Sequence, residues 1–377
     1  MISLARLTLI REWRRFMPAI FAVGFAGLLV LMQLVLLLGI FRTVSVYIDR
    51  SSADLWVGYP ETRSVDLARN LSARNEVFLR AHPAVATVES YLWTSGDLRR
   101  EDRSAALATL VGIDTRPGAL ALAAALTTVD RLALDEPDTV LVDRSNVANL
   151  RTRLGGILEL NGRRVKVVGL TRGLNSIGGA NIVTSLSTAR SLAPAADDDP
   201  DHVGYFLIKL RDPAIADRVR DQLTPRGVNP PFSVWTAAHF SKISQLYWLL
   251  ESGLGLGFAF SGGIGLLIGI VITSQTLKAV IQTSIREYAT LRALGVSVRA
   301  LRFVVLEQSA WVGVIGVTIT SLIAAAVIQL ATANHILVAA PWWAFAGTAA
   351  FMLTIAVTSG ALALRVLNQS EPATLLR

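Results

Sequence analysis

The side chains able to do chemistry are few and scattered. Only four lysines occur, Lys166, Lys209, Lys242 and Lys278, and none follows a glycine, which excludes a G-x-x-x-x-G-K phosphate loop. The four histidines, His82, His202, His239 and His335, show neither H-E-x-x-H nor any other metal-ligand spacing, and no G-x-S-x-G elbow is present. With no cysteine, disulfides and thiolate metal sites are ruled out. The acidic stretch "AADDDPD", Ala195 to Asp201, lacks the oxygen spacing and the Gly and Glu of a calcium loop and reads as a solvated loop. No catalytic residue, metal ligand or bound cofactor is therefore expected in this chain. What stands out is "SIREYATLRALG", Ser284 to Gly295, a short mixed-charge segment between apolar blocks.

Those blocks define the elements around it. Hydrophobic residues make up 52% of the chain and charged residues 17%, with a mean hydropathy of +0.49, too apolar for an ordinary soluble domain. Charge-free runs cover Pro18 to Phe41, Ser252 to Leu277 and Gln308 to Leu364. A bilayer core of about 30 Å takes roughly 20 helical residues, so each of the first two runs suits one span. The third is too long for one span and is split by "ATANHILVAAPWW", where Asn334, His335 and Pro341 mark a turn beside the interfacial pair Trp342 and Trp343. The first run exceeds the h-region of a signal peptide and no A-x-A site follows it, so it reads as a span.

The predicted layout has a helix over residues 1–17 and spans over 18–41, 252–277, 305–330 and 342–364. A large α+β domain fills 42–251, a loop 278–304, a short turn 331–341 and a tail 365–377. Outside the charge-free runs, residues 1–17, 278–307 and 365–377 carry a net charge of +7, while 42–251 carries +1. The positive-inside rule then places both termini and "SIREYATLRALG" in the cytoplasm and the large domain outside. The basic residues do not cluster beside aromatics in one folded domain, which argues against a nucleic-acid partner.

Within the large domain, "NLSARNEVFLRAHPAVATVESYL" predicts a helix ending at His82-Pro83 and then a strand. In "ILELNGRRVKVVGL", Asn161-Gly162 predicts a hairpin over Ile157 to Leu170. "NIVTSLSTARSL" predicts a strand and then a helix capped by Ser185 or Ser187, and "GYFLIKL" another strand.

The charge-free runs that define the spans hold no ionisable residue, against an intramembrane enzyme. Gln33 in span one is open to two roles, lining a cavity or a helix–helix hydrogen bond, of which the bond is expected; with Glu251 it is a candidate substrate contact. In span two, Gly253 and Gly257, Ala259 and Gly263, and Ser261, Gly265 and Gly269 recur at four-residue steps. Such faces pack closely, either inside one chain or as a homodimer seam, for which Gly257, Ser261, Gly265 and Gly269 are the candidates. Apolar residues from Leu277 through Val280, Ile281, Ile285, Tyr288, Leu291 and Leu294 continue span two as an amphipathic helix. Gly295 is its stop and Ser297 the cap of the next helix, and on physics alone the default is a helix lying on anionic lipid.

"REYATLRALGVSVRALRFVVLEQS", Arg286 to Ser309, resembles the cytoplasmic loop of MacB/FtsX-type ABC transporter permeases. "TVLVDRSNVANL", "LELNGRRVKVVGL" and "IVTSLSTARSL" resemble that family's outer-domain blocks. "FAGLLVLMQL" and "SADLWV" look most like its DevC branch, while the "LNQSEP" tail departs from the family pattern. The resemblance implies a type VII permease architecture of four transmembrane helices with an α+β periplasmic domain between the first and second. It makes Arg286, Glu287, Tyr288, Leu291, Arg292, Ala293, Leu294, Gly295 and Glu307 the contacts to an ATPase. The implied partners are two copies of a cytoplasmic ABC ATPase, which bind ATP and Mg, a second permease copy, the inner membrane, and in some members a periplasmic adaptor and outer-membrane channel. The implied activity is export by mechanotransmission. The alternative is an FtsX-like scaffold that regulates a periplasmic cell-wall hydrolase.

Overall fold

The computed structural model describes residues 4–99, 104–176, 179–193, 201–283, 296–334, 336 and 338–369. The chain forms two compact units, one of Met1–Gly39 with Leu254–Arg377 and one of Ile40–Gly253.

The first unit is helical. Helix α1 (Leu4–Arg11) is followed after Glu12 by α2 (Trp13–Asp49), whose later turns belong to the second unit. Among the described residues four helices are long and apolar enough to cross a membrane, and a helix pairs its backbone polar groups internally as hydrocarbon requires: α2, and those spanning Leu254–Thr283, Val298–Ala333 and Trp342–Gln369. Phe16, Ala19, Ile20, Val23 and Ala26 on α2 are buried with Leu9, Val280, Leu301, Val305, Val312, Met352 and Ala356. Small residues let α2 and the Val298–Ala333 helix approach closely. A β-carbon on Gly316 would lie 2.9 Å from Val23 Cγ1, and Thr320 Oγ1 donates to the Gly24 carbonyl at 2.8 Å. The long apolar run breaks after Ala333 and resumes as helix at Trp342, and Ser297 caps the Val298 helix by accepting from the Ala300 N–H at 3.3 Å.

The second unit is a mixed α/β domain between the first and second spanning helices. Its strands are β1 (Leu55–Gly58), β2 (Leu71–Ser72), β3 (Val85–Arg99), β4 (Ala105–Ile113), β5 (Thr139–Asp143) and β6 (Ile157–Leu160). They continue with β7 (Arg163–Thr171), β8 (Ala180–Ser185), β9 (His202–Val203), β10 (Tyr205–Leu210) and β11 (Ser233–Thr236). Nine form one sheet in the order β11-β1-β10-β3-β4-β8-β5-β7-β6, and a further β3–β6 pairing closes the last six into a barrel. The 15-residue β3 serves both halves, its first part paired with β10 and its second with β4. Leu98, Leu110, Val142, Leu158, Val167 and Ile182 fill the barrel core.

The open half of the sheet shows the period-2 alternation of a strand buried on both faces. Leu55, Val57, Val88, Phe206 and Ile208 pack with Leu79 of α3 (Asn75–Arg80), while Val219 and Leu223 of a later helix, Ala216–Leu223, close the same cluster. Trp56, Tyr91, Tyr205 and Leu207 face the other way. They meet Val44, Tyr47 and Ile48 from the last turns of α2 and Phe240 from the helix Ala237–Leu246.

The local signals of this domain appear at their sequence positions. Asn161 and Gly162 join β6 and β7 with φ of 48° and 82°, the left-handed pair that a two-residue hairpin turn requires. Asn161 also accepts from the Asp97 N–H at 2.7 Å and donates to the Leu192 carbonyl at 2.6 Å, clipping the hairpin to β3 and to the helix Leu186–Leu192. That helix is capped by Ser185, and α3 ends at Arg80, just ahead of His82-Pro83. Of the acidic loop, 195–200 lies outside the described residues.

Candidate functional site

The chain passes between its two units twice, in different ways. The first passage lies inside α2, which continues as helix through Gly39 and Ile40. Beyond it, Tyr47 is buried, its ring edge-on to Trp93 at 4.7 Å and its hydroxyl donating to the Asn175 carbonyl at 3.1 Å. Arg50 donates to the Arg172 carbonyl at 3.0 Å, so the last turns of α2 are anchored on the 172–175 loop by two side chains as well as by packing.

The second passage is jointed. Helix Ala237–Leu246 runs into a π-helical turn, Tyr247–Glu251, and the next helix starts at Leu254. Between them Gly253 has φ of +81° with open space around its Cα, a conformation that favours glycine. Glu251 is held by Arg63 at 2.7 Å on an exposed part of the domain. Single π-turns of this kind occur frequently at functional positions.

A buried polar network stiffens the same domain. Glu89 is 3% exposed and accepts from the backbone N–H groups of Leu120 and Ala121. Arg131, also 3% exposed, donates to the carbonyls of Asp114, Ala119 and Ala121. Burial pushes the Glu89 carboxyl up from its ordinary value against the pull of those N–H donors and of Arg131, and burial lowers the Arg131 guanidinium against Glu89 and Asp114. Glu89 also lines a cleft of about 360 Å³, whose Arg80 and Arg116 are taken up by Glu76 and Asp114. Among the described residues no group of three or more His, Asp or Glu is placed to hold a metal.

Inside the helical unit, the structure brings together two residues singled out from sequence. Gln33 Nε2 donates to Ser261 Oγ at 2.7 Å, which is the helix–helix hydrogen bond. Label the helix Leu254–Thr283 the second spanning helix. A β-carbon on its Gly262 would lie 2.6 Å from Gln33 Oε1, one on Gly265 2.9 Å from Leu29 Cδ1, and one on Gly269 2.8 Å from the Ala26 Cβ. Ser261, Gly265 and Gly269 are all engaged by α2 of the same chain, the packing inside one chain that four-residue spacing allows alongside a homodimer seam. Gly257 has open space around it. Gln33 bonds Ser261 in the helical unit, and Glu251 pairs with Arg63 in the mixed domain.

Two family signatures match the sequence. The MacB-like periplasmic core domain covers residues 19–226, more than half of the chain, and the FtsX-like permease C-terminal region covers 259–372. The chain belongs to the MacB/FtsX-like permease family. No curated protein matches it. Among solved structures it is similar to the periplasmic region of MacB from Actinobacillus actinomycetemcomitans, at 15% identity over 52% of this chain and 94% of that one, with a TM-score of 0.35. Two others match at 15% identity, each over 48% of this chain and with a TM-score of 0.31. They are the extracellular domain of the noncanonic ABC-type transporter YknZ from Gram-positive bacteria, of which 99% is covered, and a domain of a putative permease from Porphyromonas gingivalis, of which 88% is covered.

In this MacB/FtsX-like permease, Glu307 lies half-buried in the third turn of the Val298–Ala333 helix. Arg286, Glu287, Tyr288, Leu291, Arg292, Ala293, Leu294 and Gly295 fall outside the described residues. Sequence reasoning missed Gly262, although it adjoins Ser261, and it missed the Gly24 and Gly316 contact, whose signal was the small pair in "AVGFAGLL". It also missed the π-turn, which leaves no compositional mark.

A double-mutant cycle tests the polar contact in the helical unit. Gln33→Ala and Ser261→Ala, separately and together, should give a coupling of about 0.6 kcal/mol and no more than about 2 kcal/mol in detergent unfolding. A coupling of zero means the two side chains do not interact.

Proposed function

We propose that this permease is the membrane subunit of an ABC transporter whose ATPase is a separate cytoplasmic protein, and that it drives export by moving its large domain. The observation that carries the reading is α2, one helix that runs from the spanning bundle into the core of the mixed domain. A helix held by packing at both ends moves as a body, whereas the passage at Gly253 can bend. Closing of an ATPase dimer on ATP would displace the 284–295 segment, which the sequence pattern predicts to continue the second spanning helix, and the bundle would carry that displacement along α2. ATP and Mg belong to the partner, in keeping with the absence of a phosphate loop from this sequence. A second permease copy would complete the complex, and the DevC-like first span is the basis for adding a periplasmic adaptor.

The orientation places both termini and the 278–304 loop in the cytoplasm of the inner membrane, and it is supported by the +7 against +1 division of charge. The chain has no cysteine, so single replacements can report it. Val228→Cys, at a residue 98% exposed, should react with an impermeant thiol reagent on cells stripped of any outer barrier, and Arg299→Cys should not. The reverse pattern contradicts the orientation.

The coupling role is tested at Arg292. A helix docks in a groove through residues at three- and four-residue spacing, which gives Leu291 and Leu294 as apolar anchors and Arg292 as the charged contact. Arg292→Glu should abolish co-purification of the ATPase, or uncouple its hydrolysis from transport, at about 2–5 kcal/mol if the pair is desolvated. A helix that only lies on lipid predicts weaker binding to anionic vesicles with ATPase association intact. Loss of cell-wall hydrolase activation instead of transport favours the scaffold role.

A further inference from the structure

The junction between α1 and α2 presents a surface that neither the coupling role nor the domain core uses. The inward face of α2 here is closed, with Phe16, Ala19, Ile20 and Val23 all buried in the bundle core. Its other face is open along one stripe. Phe21 is 57% exposed and Phe25 56%, with Pro18 exposed on the same side, and Trp13, 51% exposed, stands at the helix start about 100° around from them. At the start of this stripe the sequence places Arg11, Arg14 and Arg15, all exposed, against the single acid Glu12, which pairs with Arg15 at 2.9 Å. The Arg14 guanidinium lies 5.7 Å from the centre of the Trp13 ring, a position over the aromatic face that cations favour. From Trp13 to Phe25 the helix rises about 18 Å at 1.5 Å per residue, close to the depth of one leaflet of a core about 30 Å thick.

We infer that this junction binds one anionic phospholipid, its phosphate beside Arg14 and Arg11 and one acyl chain laid along Pro18, Phe21 and Phe25. Charge complementarity selects the occupant. Basic residues at the end of a spanning helix attract anionic headgroups, each contributing about a fivefold gain in affinity. An aromatic ring at the headgroup level suits the same boundary. A second copy of this chain meeting the stripe about a twofold axis would set its three arginines against their own counterparts, which opposes self-association there. The site rests on α1 and α2 alone and stands apart from the transporter reading.

The test uses the full chain purified and reconstituted in nanodiscs of phosphatidylcholine with or without phosphatidylglycerol, then counted for retained lipid by native mass spectrometry. The expected result is one phosphatidylglycerol held per chain in preference to phosphatidylcholine. Arg14→Gln should lower that affinity about fivefold, and Phe21→Ala should lower retention of both headgroup classes, while Arg299→Gln leaves it unchanged. A melting temperature equal to the parent chain's confirms that Arg14→Gln is folded. Equal retention of the two lipids, or unchanged retention in folded Arg14→Gln, overturns the site. So does efficient disulfide crosslinking of Phe21→Cys between copies, which gives the stripe to a second chain.

Discussion

One helix has to satisfy two solvents, and the rest of the architecture depends on how it does so. Where α2 lies in hydrocarbon, every backbone polar group must pair inside the helix, and its side chains gain nothing from hydrophobic burial against other helices. Association there relies on close packing, which explains why Gly24, Gly316, Gly265 and Gly269 sit where α2 meets its neighbours. Beyond Gly39 the same helix enters a core built by the ordinary hydrophobic effect, where Val44, Tyr47 and Ile48 are buried among Trp56, Tyr91 and Tyr205. The continuity of α2 joins the two regimes without a loop that would absorb movement.

The mixed domain is built to receive such a helix. Its open sheet half is covered on one face by short helices and on the other by α2 and the helix leading to Gly253, so both connections to the membrane are attached to one layer. The barrel half, closed by the β3–β6 pairing, has no free edge along the strands it joins, and β3 ties it to the open half. Glu89 and Arg131 fasten the 119–121 segment over that layer with charged groups that burial makes costly unless they are paired.

Much of this was legible in sequence, and the misses have physical causes. The spans appear as charge-free runs because the cost of burying charge in lipid is paid residue by residue, and Asn161-Gly162 appears because few residues tolerate its backbone. The last turns of α2 were invisible because Arg42 and Asp49 end the apolar run, while the helix goes on under a different hydrophobic pattern. Ser261, Gly265 and Gly269 announce a close contact without its partner, and their contact with α2 is non-local. The β3–β6 closure joins residues some 60 positions apart, and local patterning carries no record of it. The Arg63 and Glu251 pair is equally non-local.

The central claim is that α2 transmits movement and the passage at Gly253 does not. It is tested most directly by inserting Gly-Gly either between Gly39 and Ile40 or after Gly253, in a chain spin-labelled at Val228→Cys and Asn334→Cys and bound to the proposed ATPase partner. The distance between labels would be measured with and without a non-hydrolysable ATP analogue. The account predicts that the nucleotide-dependent change is lost with the insertion in α2 and kept with the insertion after Gly253. A change that survives interruption of α2, or that disappears only when the Gly253 passage is lengthened, contradicts it.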